Sequence, residues 1–294
     1  MAGSRPAAFL LLALANLFWA GNWVTGRALR EAFDPLTLNF LRWVVATLVL
    51  APFGLAAMRG KWPLVRRHAG ILVALSFLGV ALFQGLVYLG LRSTEAVNAV
   101  LLNSSMPLFM ILCSWTIERE RPSGRQLAGM ALSLAGILVI LSRGDAAALG
   151  QLRLHAGDGW ILLAMPVWGV YSVLLKRRPP ELGGIALLFV ISLLGTAMLL
   201  PVTALVAFLS PPHWPSPAAV AGVVYMGIGA SVLAFLAWNR GVAVVGANAA
   251  GFTIHLLPAF GTVLAILFLG ESFAGFHAVG LATIVAGVLI ATWR

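Results

Sequence analysis

The sequence predicts an all-α membrane protein with ten transmembrane helices arranged as two inverted five-helix repeats. Three observations carry this reading: too little charge for a water-facing fold, a train of bilayer-length apolar runs, and a gap-free register between the two halves of the chain. Charged residues are 10% of the 294 and apolar residues 61%, where a soluble domain carries about 25% charged. Nineteen basic and nine acidic side chains cannot cover a fold of this length, so much of its apolar surface must meet hydrocarbon.

The apolar runs fall at 6–28, 36–58, 69–90, 95–116, 124–142, 157–176, 182–209, 217–239, 246–268 and 274–293. Each is about 20 residues long, enough to cross a hydrocarbon core. Lipid offers backbone amides no partner, so every run must be helical. The first run follows Arg5 and passes Ala13-Leu14-Ala15, which has the look of a signal-peptide cleavage site. Its apolar character continues through Trp19, Trp23 and Val24, so it is read as a span. Polar and turn-forming stretches mark the breaks: Asp34-Pro35, Arg59 to His68, Arg119 to Ser123, Arg177 to Pro180, and Ser210 to Pro217.

The net charge of +10 forms no patch or tail, so nucleic acid is not an expected partner. Basic residues sit in the short gaps instead. With the N-terminus in the cytoplasm, thirteen fall in cytoplasmic segments and five in outer ones, with Arg42 near the outer end of the second run. The positive-inside rule then sets both termini in the cytoplasm. The single cysteine, Cys113, excludes an intrachain disulfide and a thiol metal site.

A shift of 151 residues superposes Gly90 on Gly241, Ala99 on Ala250, Pro107 on Pro258, Glu120 on Glu271, Gly129 on Gly280 and Gly136 on Gly287. A shift of 149 places Trp19 on Trp168, Arg27 on Lys176, Thr47 on Thr196 and Pro52 on Pro201. The chain is therefore read as a tandem duplication: a first repeat at 1–145, an external linker at 146–156 and a second repeat at 157–294. Five helices per copy make the second copy enter the membrane upside down. Inverted repeats are the architecture of secondary transporters.

The pattern Ala99, Pro107, Glu120, Gly129, Gly136, repeated as Ala250, Pro258, Glu271, Gly280, Gly287, resembles the EamA-type unit. Two units in tandem resemble the ten-helix exporters of the drug/metabolite transporter superfamily, and in general appearance its YddG-like amino-acid exporters. The resemblance implies a bacterial inner-membrane location and export of small metabolites.

Polar side chains far from helix ends are costly and by default line a cavity. Asn16, Trp19 and Trp23 share a stripe of the first helix; Gln84 and Tyr88 share a face of the third, Asn98 and Ser105 of the fourth, and Trp168 and Tyr171 of the sixth. These residues and His255 form the expected substrate site, with interhelical hydrogen bonding the competing role for each Asn and Ser. Trp238 and Asn239 read as a belt position at the cytoplasmic surface. Pro107 and Pro258 read as mid-helix kinks that free the carbonyls of Asn103 and Ile254.

His255 is the one titratable group, tyrosine and cysteine aside, expected at mid-membrane, either as a neutral hydrogen-bonding group or as a proton relay. Glu120 and Glu271 read as gate, helix cap or solvated loop. The glycine faces at Gly129/Ser133/Gly136 and Gly280/Thr283/Gly287 read as close helix packing.

All nine acidic residues fall at helix ends or in loops, so a cation at mid-membrane would be desolvated without a partner. The expected substrate is a neutral or zwitterionic metabolite, an amino acid with an apolar or aromatic side chain, moved by alternating access. Proton-coupled multidrug efflux is the alternative. No nucleophile–base pair or metal cluster marks an enzyme, and no cofactor, metal or oligomer is required. The expected partners are the small-molecule substrate and the lipid bilayer.

Overall fold

The computed structural model describes residues 4–94, 96–151, 155–209, 215–269 and 274–292, without the side chains of 96–98, 101, 146, 149, 151 and 265–269. Every regular element among them is helical. The spans are α1 (Arg5–Ala28), α2 (Pro35–Ala57), α3 (Ala69–Ser93), α4 in two pieces (Ala96–Asn103 and Met106–Glu118), α5 (Gly124–Leu141), α6 (Ala156–Arg177), α7 (Gly184–Leu209), α8 (Pro217–Val245), α9 (starting at Ala247 and continuing as Leu256–Leu269) and α10 (Gly275–Thr292). Among the described residues nine are long and apolar enough to cross a membrane. The lower piece of α4 is a shorter apolar helix, and its two pieces together make the tenth crossing. An even number of crossings puts the start of α1 and the end of α10 on one side, the terminal face, where Arg5 and Thr292 line one basin; the other is the far face.

Local chemistry starts these helices where the sequence changes character. The Ser4 hydroxyl accepts from the Ala7 amide and the Asp34 carboxylate from the Leu36 amide, each with proline in the first turn, where its missing N–H is no loss. Ser123 and Gln126 form a reciprocal capping box at the start of α5. The polar gap at 59–68 holds a short helix, Trp62–Arg67, that its length did not suggest.

Packing runs mainly between the repeats. α3 and α4 pack on α6, while α8 and α9 pack on α1; α2 packs on α7, and α5 on α10. The two copies thus interleave around one core. The α5–α10 contact displays the symmetry directly. Gly129 faces Gly287 and Gly136 faces Gly280, and a Cβ at Gly129 would stand 2.5 Å from the Gly287 carbonyl oxygen. Gly129 and Gly280 are repeat partners, as are Gly136 and Gly287, so the pairs are crossed, as a two-fold axis between antiparallel copies requires. The Ser133 hydroxyl donates to the Ile284 carbonyl across this seam, 151 residues away, at 3.3 Å. Thr283, expected on the same face, instead bonds back to the Val279 carbonyl of its own helix.

Residues that touch their own repeat partner must lie on the axis. Thr47 and Thr196 do so in α2 and α7, with hydroxyl oxygens 3.2 Å apart. α3 and α8 also carry related irregularities: a π-helical turn at Phe77–Leu82 and another at Met226–Leu233. Such a turn widens the backbone ring and leaves carbonyls for other donors.

Candidate functional site

The axis continues into the aromatic centre of the molecule. Trp19 and Trp168, repeat partners, meet edge to face at 89° with ring centroids 5.1 Å apart. Trp238 lies 5.2 Å from Trp19 and 5.6 Å from Trp168. Phe83, Tyr171 and Phe235 close round Trp168 at 4.8, 4.9 and 5.6 Å, and Trp43 packs on Phe235 at 5.1 Å. These separations suit offset and edge-on aromatic pairs. The Trp19 indole donates to the Ala230 carbonyl at 3.0 Å, one of the oxygens in the α8 π-turn. In the related turn, Val80 and Ala81 carbonyls accept from the Asn39 amide at 3.0 and 3.3 Å.

Beside Trp19 and Trp168 lies a cavity of about 20 Å³, lined also by Trp23, Phe83, Gln84, Asn103, Met106, Ile254 and Leu257. That is room for about one water molecule, so the centre is closed in this conformation. Three buried polar atoms around it have no partner among the described residues: Gln84 Oε1, Asn103 Nδ2 and Trp168 Nε1. A larger cavity of about 300 Å³ lies between α1, α4, α5, α9 and α10 toward the far face, reaching Arg143 and His277. Trp23 and Leu257 line both and stand between them.

Trp19, Trp23, Gln84 and Trp168 therefore meet where the sequence brings them, and Asn103 joins them. Tyr171 packs against Trp168 but sends its hydroxyl to Asn239 Oδ1 at 2.9 Å. Asn16 lies lower on α1, donating to the Leu12 carbonyl and to Thr253. Ser105 spends its hydroxyl on the Leu102 carbonyl. Asn98's side chain and Glu271 lie outside the described residues.

The α4 and α9 prolines begin helices instead of kinking them. α4 breaks at Ser104 and Ser105, and Pro107 occupies the first turn of the new helix; in α9 a 3₁₀ turn, Thr253–His255, precedes Pro258. A first-turn proline forfeits no hydrogen bond. The carbonyl released at the α4 break and captured is Ser104's, which His255 Nε2 meets at 3.1 Å. Ser104 and His255 are again repeat partners on the axis; His255 Nδ1 has no partner among the described residues.

Two sequence readings are corrected. Trp238 and Asn239 are no surface belt: both are buried, Trp238 completely, because the rotation of α8 turns them inward. Nor is His255 the one titratable group, phenols and thiol aside, deep in the spans, since Arg42 is also fully buried. Arg42 Nε donates to Ser231 Oγ at 2.8 Å, and Nη1 donates to Tyr88 Oη at 2.6 Å and Asn22 Oδ1 at 3.2 Å. Tyr88 in turn donates to Asn22 Oδ1 at 3.0 Å. The expected site residue Tyr88 thus serves the guanidinium and does not line the small cavity. Sequence spacing could not link four residues from four helices.

At the terminal face Lys176 Nζ bridges Glu118 Oε2 at 3.0 Å and Glu120 Oε1 at 2.6 Å. The hydrogen bond from Lys176 holds the Glu120 carboxyl below the usual carboxylate range. This ties the α4–α5 connection of one repeat to the end of α6 in the other. Nearby, Arg5, Arg121, Arg125 and Asn248 line a basin of about 560 Å³.

Two antiparallel copies of five helices, closed over a polar-lined aromatic centre on their shared axis, define a multi-pass membrane transporter with inverted repeats. The chain belongs to the EamA-like transporter family, whose model matches residues 6–142 and again 155–293. It is 30% identical over 289 residues to an uncharacterized transporter of Archaeoglobus fulgidus, covering 96% of both chains. It is 28% identical over 290 residues to a probable terminal-alkyne amino-acid exporter of Streptantibioticus cattleyicolor, covering 96% of this chain and 92% of that one. A solved crystal structure with 25% identity superposes with a TM-score of 0.74 over 98% of this chain and 97% of the other.

Proposed function

We propose that the protein moves small zwitterionic metabolites, amino acids with aromatic or apolar side chains, out of the cytoplasm across a bacterial inner membrane, with both termini cytoplasmic. The observation that carries this reading is the central cavity: an aromatic wall made by Trp19, Trp23, Phe83 and Trp168, with unpartnered Gln84 Oε1, Asn103 Nδ2 and Trp168 Nε1. Apolar walls with a few convergent polar groups suit a small amphiphilic solute. Wherever the spans are described, the cavity's lining offers no carboxylate to hold a bare cation. The relative from Streptantibioticus cattleyicolor, named a probable amino-acid exporter, agrees with that chemistry.

The proposed mechanism is alternating access. If the two repeats exchange conformations, a contact between a residue and its own repeat partner maps onto itself and survives. Trp19–Trp168, Thr47–Thr196 and Ser104–His255 are of this kind. A contact between unrelated positions maps onto a different pair at the opposite face. Glu120–Lys176 is of this second kind, and its image is Glu271 with Arg27. In this reading the pair latches the terminal face and releases when the site turns toward it.

The test is counterflow into liposomes containing the purified protein. Preloaded phenylalanine or leucine should drive uptake of the labelled amino acid, without a proton gradient. Uptake driven by quaternary ammonium ions, or flux that needs both a proton gradient and His255, would replace this reading with proton-coupled drug efflux.

A further inference from the structure

A buried guanidinium without a counter-anion is costly at membrane depth, and such groups mark ligand pathways. Arg42 is the eighth residue of α2, roughly 10 Å along the axis from Pro35 at 1.5 Å per residue. Its three hydrogen-bonding neighbours, Ser231, Tyr88 and Asn22, are all neutral, and among the described residues no carboxylate pairs with it. Trp43 and Tyr88 flank the guanidinium with ring centroids 5.5 and 6.0 Å away. These contacts hold the group in place while leaving its charge unneutralised.

Two donors of this cluster are unused. Among the described residues Arg42 Nη2 and Asn22 Nδ2 have no partner, and the two residues are 0% and 1% exposed. The two side chains already meet through Arg42 Nη1 and Asn22 Oδ1, and spare N–H donors on touching side chains, one of them cationic, suit a carboxylate. The cluster is linked along the chain to the lining of the central cavity: Asn22 precedes Trp23, Tyr88 is one helical turn from Gln84, and both Trp23 and Gln84 line that cavity. The duplication supplies an independent comparison. At the shift of 149, Arg42 falls on Ile191, which is equally buried. The same place in the second repeat is thus filled by an apolar side chain, so the architecture does not demand a cation there.

We propose that Arg42, with Asn22, binds the carboxylate of the transported molecule, so that this transporter selects solutes bearing a free carboxylate. This rests on the amino-acid reading for the rest of the solute, and deepens it by assigning the acid end to Arg42 and the apolar end to the tryptophans.

The experiment measures binding to the purified protein by quenching of its tryptophan fluorescence. The probes are phenylalanine, leucine, their carboxamides, and 3-phenylpropanoate, which keeps the acid and lacks the amine. The wild-type protein should prefer each amino acid over its amide by about 30-fold or more, the range for breaking a buried charged hydrogen-bonded pair. Arg42→Gln should erase that preference, whereas Arg42→Lys should keep part of it. Equal wild-type binding of acid and amide, or binding of none of the acids, overturns the proposal, and this arm stands even where Arg42→Gln fails to fold. A folded Arg42→Gln that retains the preference overturns it as well. Binding of 3-phenylpropanoate but of neither amino acid leaves Arg42 as the carboxylate site and removes the amino-acid reading instead.

Discussion

Tryptophan and arginine are the residues whose surroundings separate use from position. Trp19 and Trp168 have the same side chain at related positions, yet only Trp19 has an indole partner, the Ala230 carbonyl. Replacing each by phenylalanine removes similar ring area, but Trp19→Phe also leaves a buried carbonyl without its donor. Trp19→Phe should therefore cost about 1 kcal/mol more stability than Trp168→Phe, read as the lower melting temperature in detergent; equal melting would show that the bond contributes nothing. Trp19, Trp23, Gln84 and Trp168 were legible in the sequence because polar and aromatic side chains deep in a span are costly enough to be informative. Arg42 was not. Seven residues from a helix start, an arginine can snorkel to the interface or point inward, and only the helix rotation set by packing against α3 and α8 decides. Trp238 escaped for the same reason.

Among elements, the clearest constraint is the glycine seam between α5 and α10. An added methyl at Gly129 meets backbone, whereas one at Gly124, on the same helix, meets nothing within 4 Å. Gly129→Ala should lose about 1–3 kcal/mol, the usual scale of overpacking, while Gly124→Ala should melt like the wild type; matching melting curves would refute the close packing. The Glu120–Lys176 pair makes a prediction about pH. Because Glu120's carboxyl is held below its ordinary value, the pair persists above the usual carboxylate range and is lost only as pH falls through that lowered value. Any change in counterflow rate caused by Glu120→Gln should thus be constant between pH 5 and 8, and a change that fades across that window would contradict the pairing. Span positions were readable because the bilayer fixes length and polarity together. The break in α4 was not, since Pro107 looks the same in sequence whether it kinks a helix or starts one.

For the whole molecule, the register of 149–151 residues carried more than the duplication. Partners that touch, Trp19 with Trp168, Thr47 with Thr196, Ser104 with His255, trace the two-fold axis through the spans. The sequence named such pairs without saying which of them meet, because that depends on how the copies interleave. Cross-linking on a Cys113→Ser background tests the account most directly. A disulfide joining Thr47→Cys to Thr196→Cys lies on the axis and should leave counterflow intact. A reducible bifunctional thiol reagent of ion-pair length joining Glu120→Cys to Lys176→Cys ties positions that alternating access separates, and should abolish counterflow until a reductant restores it. Free transport with the second pair locked, or arrest by the first, would contradict alternating access by inverted repeats.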